Sequence, residues 1–138
     1  MRRAPIDERL TAIPLFQHLT DKQLATVAGL ATVLDIGSGR ELIREGQVGR
    51  EFFLVVEGEA EVTRDGEHVA DLGPGTFFGE TALLLDQPRN ATVVAKTDMV
   101  VEVIERRDFK GLLEEYPDLY APLLAATAQQ LAEGSETT

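Results

Sequence analysis

Cysteine is missing from all 138 residues of this chain, which excludes disulfides, thiol catalysis and zinc–cysteine sites. Nothing in it calls for an oxidising compartment, and a cytoplasmic address is the expectation. Long apolar stretches are missing too. The longest uninterrupted run is Phe52 to Val56, far short of the ~20 residues a membrane-spanning helix needs. The first residues do not read as a signal peptide, because Met1-Arg2-Arg3 leads into Pro5, Asp7 and Glu8. Basic side chains are the minority charge, 13 against 24 acidic ones, and the formal net charge is −11. Nucleic acid binding rests on cations displacing counterions, so no nucleic acid partner is expected. The acidic excess reads as a solubilising surface. Histidine is scarce: His18 and His68 have no third histidine to complete a ligand set, and no metal site is assigned. Serine is scarcer in useful places. Ser38 lies between two glycines and Ser135 near the C-terminus, so no nucleophile, no catalytic residue and no enzyme activity are assigned.

What is present suits one folded domain. Hydrophobic residues make up 43% and charged ones 27%, enough apolar surface for a core. The length fits a single domain over 1–138, with a core over about 10–132 and a frayed tail at 134–138. Nine of the twelve glycines lie between Gly37 and Gly79, so the middle is rich in turns and the ends are not. Short β-branched runs alternate with turn signals there, predicting strands near 31–36, 41–44, 51–57, 59–64, 67–72, 91–95 and 98–104 and a sandwich or barrel. Asp65-Gly66 predicts a type I′ hairpin turn, and Gly73-Pro74-Gly75 another turn. Helices are expected at both ends. Thr20 to Gln23 has the capping-box pattern inside a Leu19–Leu24 staple, followed by an apolar face of Leu24, Val27, Ala28 and Ala31. A short helix is predicted over 107–115, stopped by Pro117. A last helix is predicted over about 119–133, with Tyr120, Leu124, Ala128 and Leu131 on one stripe, which is expected to dock weakly on the barrel, and Pro122 in its first turn.

The chemically informative stretch runs from Phe77 to Val93. Gly79 permits close backbone approach and opens one helical turn, whose free N–H groups favour an anion. Arg89 follows Pro88 just before a strand, so its guanidinium is held near that turn, where a fork of donors suits a phosphate. Taken alone, Arg89 also reads as a surface residue paired with Asp86 or Glu80, and Glu80 as an acid favoured by the helix dipole. A carboxylate beside a phosphate is better explained by a hydroxyl it can accept from, such as a sugar's. Phosphate and ribose in one cradle mean a nucleotide. Phe77 and Phe78 are read as core rather than base-stacking residues, since neighbours along a strand face opposite ways and at least one must point inward.

These residues resemble the cyclic nucleotide-binding domain family, as in protein kinase A regulatory subunits and catabolite activator proteins. The phosphate-binding cassette of that family is matched by Phe78-Gly79-Glu80-Thr81-Ala82-Leu83 and, after a spacer, by Pro88-Arg89-Asn90-Ala91-Thr92. Ile13 to Phe16, Ile43 to Gly46 and Phe53 to Gly58 are similar to its scaffold landmarks. The resemblance implies a mainly β fold with flanking α: a jelly-roll-like double-stranded β-helix barrel with N-terminal helices and two C-terminal helices. It implies that Arg89 pairs with the exocyclic phosphate oxygens and that Glu80 accepts from the ribose 2′-hydroxyl. The amides of Ala82 and Ala91 would cradle the phosphate, with Gly79, Thr81 and Asn90 beside them and Val62 and Val69 on the wall around the base. Asn90 stands where family members that prefer cAMP or cGMP carry alanine or threonine; cAMP is the expected ligand and cGMP the alternative. No cofactor is implied. The expected role is a stand-alone receptor that signals through its C-terminal helix, through which a homodimer is also expected. A protein-interaction domain with a changed ligand is the competing role. Relatives attach DNA-binding, kinase-inhibiting or channel parts where this chain ends, so the effector is left open.

Overall fold

The structure is a computed structural model that describes residues 14–17 and 19–125. His18, the 126–133 part of the expected last helix and the 134–138 tail lie outside the described residues. The helix α1 (Asp21–Leu30) starts where the capping box predicts: the Thr20 N–H donates to Gln23 Oε1 at 2.9 Å, and the Gln23 N–H to Thr20 Oγ1 at 3.2 Å. Leu24 and Val27 are its buried positions. Ala31, expected on the same face, is instead the extended residue that ends the helix and leads into the first strand.

Eight strands follow, β1 (Thr32–Ile36), β2 (Glu41–Ile43), β3 (Glu51–Glu57), β4 (Ala60–Arg64), β5 (Glu67–Leu72), β6 (Phe77–Phe78), β7 (Thr92–Ala95) and β8 (Met99–Glu105). They form two antiparallel sheets of four, ordered β1-β8-β3-β6 and β2-β7-β4-β5, which is the jelly-roll arrangement with flanking helices. The two-residue strand β6 is absent from the expected strands, because Phe77 and Phe78 are too short a run to signal one. Its partner supplies the order: Phe78 pairs with Phe53 and Phe77 with Leu54. At the β4–β5 hairpin, Asp65 and Gly66 both have positive φ, 53° and 81°, as a type I′ turn requires.

The core explains the longest apolar run in the chain. Phe52 and Leu54 of β3 pack with Leu24, Val27, Phe109, Leu112 and Leu123 on the helical side. Phe53 and Val55 point the other way, into a cluster shared by both sheets with Phe78, Val93 and Val101. A strand covered on both faces has no solvent side, so its residues need not alternate. The neighbouring β8 is buried at six consecutive positions for the same reason.

After β6 comes the short helix α2 (Glu80–Leu85), and after β8 the helix α3 (Arg106–Glu115). A 3-10 turn at Pro117–Leu119 then leads into helical residues 120–125, named α4. The stripe expected on α4 is corrected here. Leu119 and Leu123 are buried at 4% and 1% exposure, whereas Tyr120 and Leu124 are 41% and 42% exposed. Both pairs have i, i+4 spacing one residue apart, so periodicity alone could not choose between them.

Candidate functional site

The site is built where α2, the segment before β7 and the turn before β3 meet. Gly79 caps α2 with φ +91°, a conformation that side chains rarely adopt. A Cβ there would sit 2.9 Å from the Glu51 carbonyl oxygen and 3.0 Å from Arg89 Nη1. Glycine is therefore required twice, for the turn and for the closeness of β3 and Arg89. Asp86, in the left-handed region at φ 51°, ends α2 as its amide donates to the Ala82 carbonyl.

Arg89 is fixed through backbone and side chain together. Its N–H donates to the Gln47 carbonyl at 2.8 Å, and its own carbonyl accepts from the Gly46 N–H at 2.8 Å. Val48 and Pro88 form a bridge between these segments. The guanidinium donates from Nη1 to the Gly79 carbonyl and from Nη2 to the Glu51 carbonyl, both at 2.8 Å. Only 5% of the residue is exposed. Burial pulls its pKa below the ordinary arginine value, while the charges of Glu51 and Glu80 pull the other way. The surface reading of Arg89 does not hold: Asp86 pairs instead with Arg106 and with Lys110, the latter at 3.1 Å.

Beside Arg89 opens a cavity of ≈ 460 Å³. The cassette lines it with Gly79, Thr81, Ala82, Arg89, Asn90 and Ala91, and the barrel adds Val62 and Val69 to its wall. Glu80 differs. It is fully buried, 3.5 Å from the Thr81 hydroxyl, and does not line the cavity. Phe78 stacks on Phe53 at 4.7 Å between centroids, and Phe77 lies 5.7 Å from Phe52 in the other cluster. The two adjacent phenylalanines thus pack on opposite faces as expected, and both also edge the cavity.

Three features of this region were not legible in the sequence. Gly49 closes the site from below: a Cβ there would lie 2.6 Å from Ala82 Cβ and 3.3 Å from the Arg89 guanidinium carbon. The only hint was a second glycine three residues after Gly46. Arg64 also lines the cavity and donates from Nε to the Asn90 carbonyl at 2.8 Å. Lastly, the β4–β5 pairing brings Glu61 and Asp71 together with His68, their ligand atoms within 4.8 Å of one another. His68 is exposed. Its hydrogen bond to Asp71 at 3.1 Å, with help from Lys96 at 3.6 Å, holds the Asp71 carboxyl below its ordinary pKa.

Chemically, the cavity is an apolar slot with a cationic end. Among the described residues, Arg64 and Arg89 are its charged lining residues and no carboxylate lines it, in a chain of net charge −11. Buried arginine held by neutral carbonyls keeps its charge and has further N–H donors to offer an anion.

Comparison with known proteins agrees with this chemistry. The family model of the cyclic nucleotide-binding domain matches residues 34–116. A cAMP-dependent protein kinase regulatory subunit from Yarrowia lipolytica is 41% identical over 114 residues, which are 81% of this chain and 30% of that protein. The chain thus spans under a third of that relative's length. Among solved structures, the regulatory domain of Toxoplasma gondii protein kinase A with cAMP superposes with a TM-score of 0.81 at 27% identity, covering 91% of this chain and 49% of that one. The regulatory subunit of a cAMP-independent protein kinase A from Trypanosoma brucei gives 0.79 at 30% identity, covering 88% and 45%.

Proposed function

This chain belongs to the cyclic nucleotide-binding domain family, and on that premise we propose that it senses a cyclic mononucleotide, cAMP ahead of cGMP. Domains of this family are regulatory and non-catalytic. The observation that carries the proposal is the sign of the cavity: among the described residues, an acidic protein lines its apolar slot with two arginines and no acid. In this reading the phosphate meets Arg89 and the amides of Ala82 and Ala91, and the base lies along Val62 and Val69. Glu80, buried beside Thr81, accepts from the ribose hydroxyl in the same reading. The signal leaves through the C-terminal helix, of which α4 is the described part. The protein that receives it belongs to the same proposal as a regulated partner, its class left open by the shared domain.

A second reading has one observation in its favour. The same fold occurs in a regulatory subunit described as cAMP-independent, so the scaffold does not by itself choose the ligand. One experiment separates the two. Melting curves are recorded without ligand, with cAMP and with cGMP. A ligand at a hundred times its dissociation constant adds about 2.7 kcal/mol to stability. Arg89→Ala should lose about 2–5 kcal/mol of binding free energy, because it leaves a phosphate charge unpaired in a partly desolvated site. In the wild type, ligand should slow amide exchange over 79–91 and over 119–125. No shift with either nucleotide would defeat the first reading and leave the second.

A further inference from the structure

The β4–β7 ladder runs from Ala60↔Ala95 to Thr63↔Thr92 and stops there. The Asn90 carbonyl lies two residues past the end of the ladder, on the cassette side. Arg64 takes over at that point. Its Nε donates to the Asn90 oxygen at 2.8 Å, so a side chain supplies the donor for this peptide group. Two local features hold Arg64 in place to do so. It is the last residue before the tight Asp65-Gly66 turn, paired in register with Glu67. The Asp65 N–H is in turn tied to Glu45 Oε1 at 3.1 Å, and the Glu45 N–H to Thr92 Oγ1 at 3.0 Å. Among the described residues no carboxylate lies within ion-pair distance of the Arg64 guanidinium.

The Asn90 carbonyl and the Ala91 N–H belong to one peptide unit. That unit is planar and trans, as no cis peptide occurs among the described residues, so the two groups point in opposite directions. Whatever holds the carbonyl sets the direction of the N–H. We propose that Arg64 is a positioning residue of the anion site: by holding the Asn90 carbonyl it fixes the Ala91 N–H in the direction from which it donates to a phosphate oxygen. This rests on the reading of the cavity as a cyclic nucleotide site. It adds a residue from the barrel wall to a cassette otherwise contained in 79–91.

The test is calorimetric titration of the wild type, Arg64→Met and Arg64→Lys with cAMP and with each of the two phosphorothioate diastereomers of cAMP. Methionine keeps an apolar stem but has no donor; lysine keeps a charge and a donor. All three ligands carry the same charge, so loss of a mere background cation weakens them equally. Losing an aimed amide does not, because sulfur is a poor acceptor and the diastereomer with sulfur facing Ala91 has less to lose. Arg64→Met should weaken cAMP about tenfold, of the order expected for one hydrogen bond to a charged group. It should weaken one phosphorothioate distinctly less, and Arg64→Lys should recover part of the loss. Should Arg64→Met not fold, Arg64→Leu, which likewise has no donor, replaces it. Equal losses for all three ligands, or none, would overturn the positioning role while leaving the nucleotide reading intact. A wild type that binds none of the three would overturn both.

Discussion

The two sheets of this barrel have the same strand count and opposite duties. The β1-β8-β3-β6 sheet is covered on both faces in its centre, by the inter-sheet cluster and by the helices. The β2-β7-β4-β5 sheet has one face turned inward, and part of that face (Val62, Val69, Val93) lines the cavity. Its strands are correspondingly half-buried: β4 and β5 have one fully buried position between them, Ala60. The first sheet is a foundation that tolerates no vacancy. The second leaves a vacancy by design of its sequence, and the cassette spans the gap between the two, with Gly79 and Arg89 anchored on β3 at Glu51.

The contrast is sharpest for a large residue removed from each. Phe52→Ala should cost about 3–5 kcal/mol of stability, since Phe52 is 1% exposed and stacks on Phe109. Val69→Ala, on the cavity wall, should cost far less stability and show itself in ligand affinity. Denaturant titration and calorimetry on both variants check the pair, and a Val69 loss as large as that of Phe52 would mean that the cavity wall is structural core.

Leu123→Ala and Leu124→Ala draw the same line on α4. Loss of about 2–4 kcal/mol is expected at buried Leu123 and within about 0.5 kcal/mol at exposed Leu124. Equal effects would mean that α4 sits with its other stripe inward. Gly49→Ala tests the join between foundation and cassette. The new methyl must displace Ala82 or Arg89, an overpacking cost of about 1–3 kcal/mol, and ligand binding should weaken with it because both neighbours line the cavity. A crystal structure or a melting curve of the variant identical to wild type would refute the closeness.

The smallest effect is electrostatic. Asp86 ends the cassette helix, and its carboxyl is held below 3.8 by Lys110 and then Arg106, both on α3. A folded-state pKa below the unfolded one stabilises above the unfolded value and is lost as pH falls through the folded one. Asp86→Asn should therefore make acid unfolding slightly less steep below about pH 4 and leave stability at neutral pH almost unchanged, since Asp86 lies on the solvent side and its ion pairs are screened by water. Acid titration by circular dichroism reads this directly.

Legibility followed distance along the chain. The capping box at Thr20, the positive-φ hairpin at Asp65-Gly66 and the cassette from Phe78 to Thr92 are each set by neighbouring residues, whose propensities and steric limits act locally. Phe77 and Phe78 could be assigned to opposite faces because a strand alternates. The absence of cysteine and the scarcity of basic residues bounded the chemistry before any geometry was known. Glu80 marks the other limit. Its place in the motif points to the ribose, and only the fold shows that its side chain is fully buried.

Contacts between distant residues belong to the tertiary structure alone. Gly49 meets Ala82, Arg64 reaches Asn90, and Glu51 receives Arg89 only because β3, β4 and the cassette are brought together by the register of the two sheets. The same holds for the stripe of α4: the order of residues made Leu119–Leu123 and Tyr120–Leu124 equally helical. The apolar surface left by Phe52, Leu54 and Phe109 chose the first, because burying a side chain requires a partner surface and helical spacing does not name one.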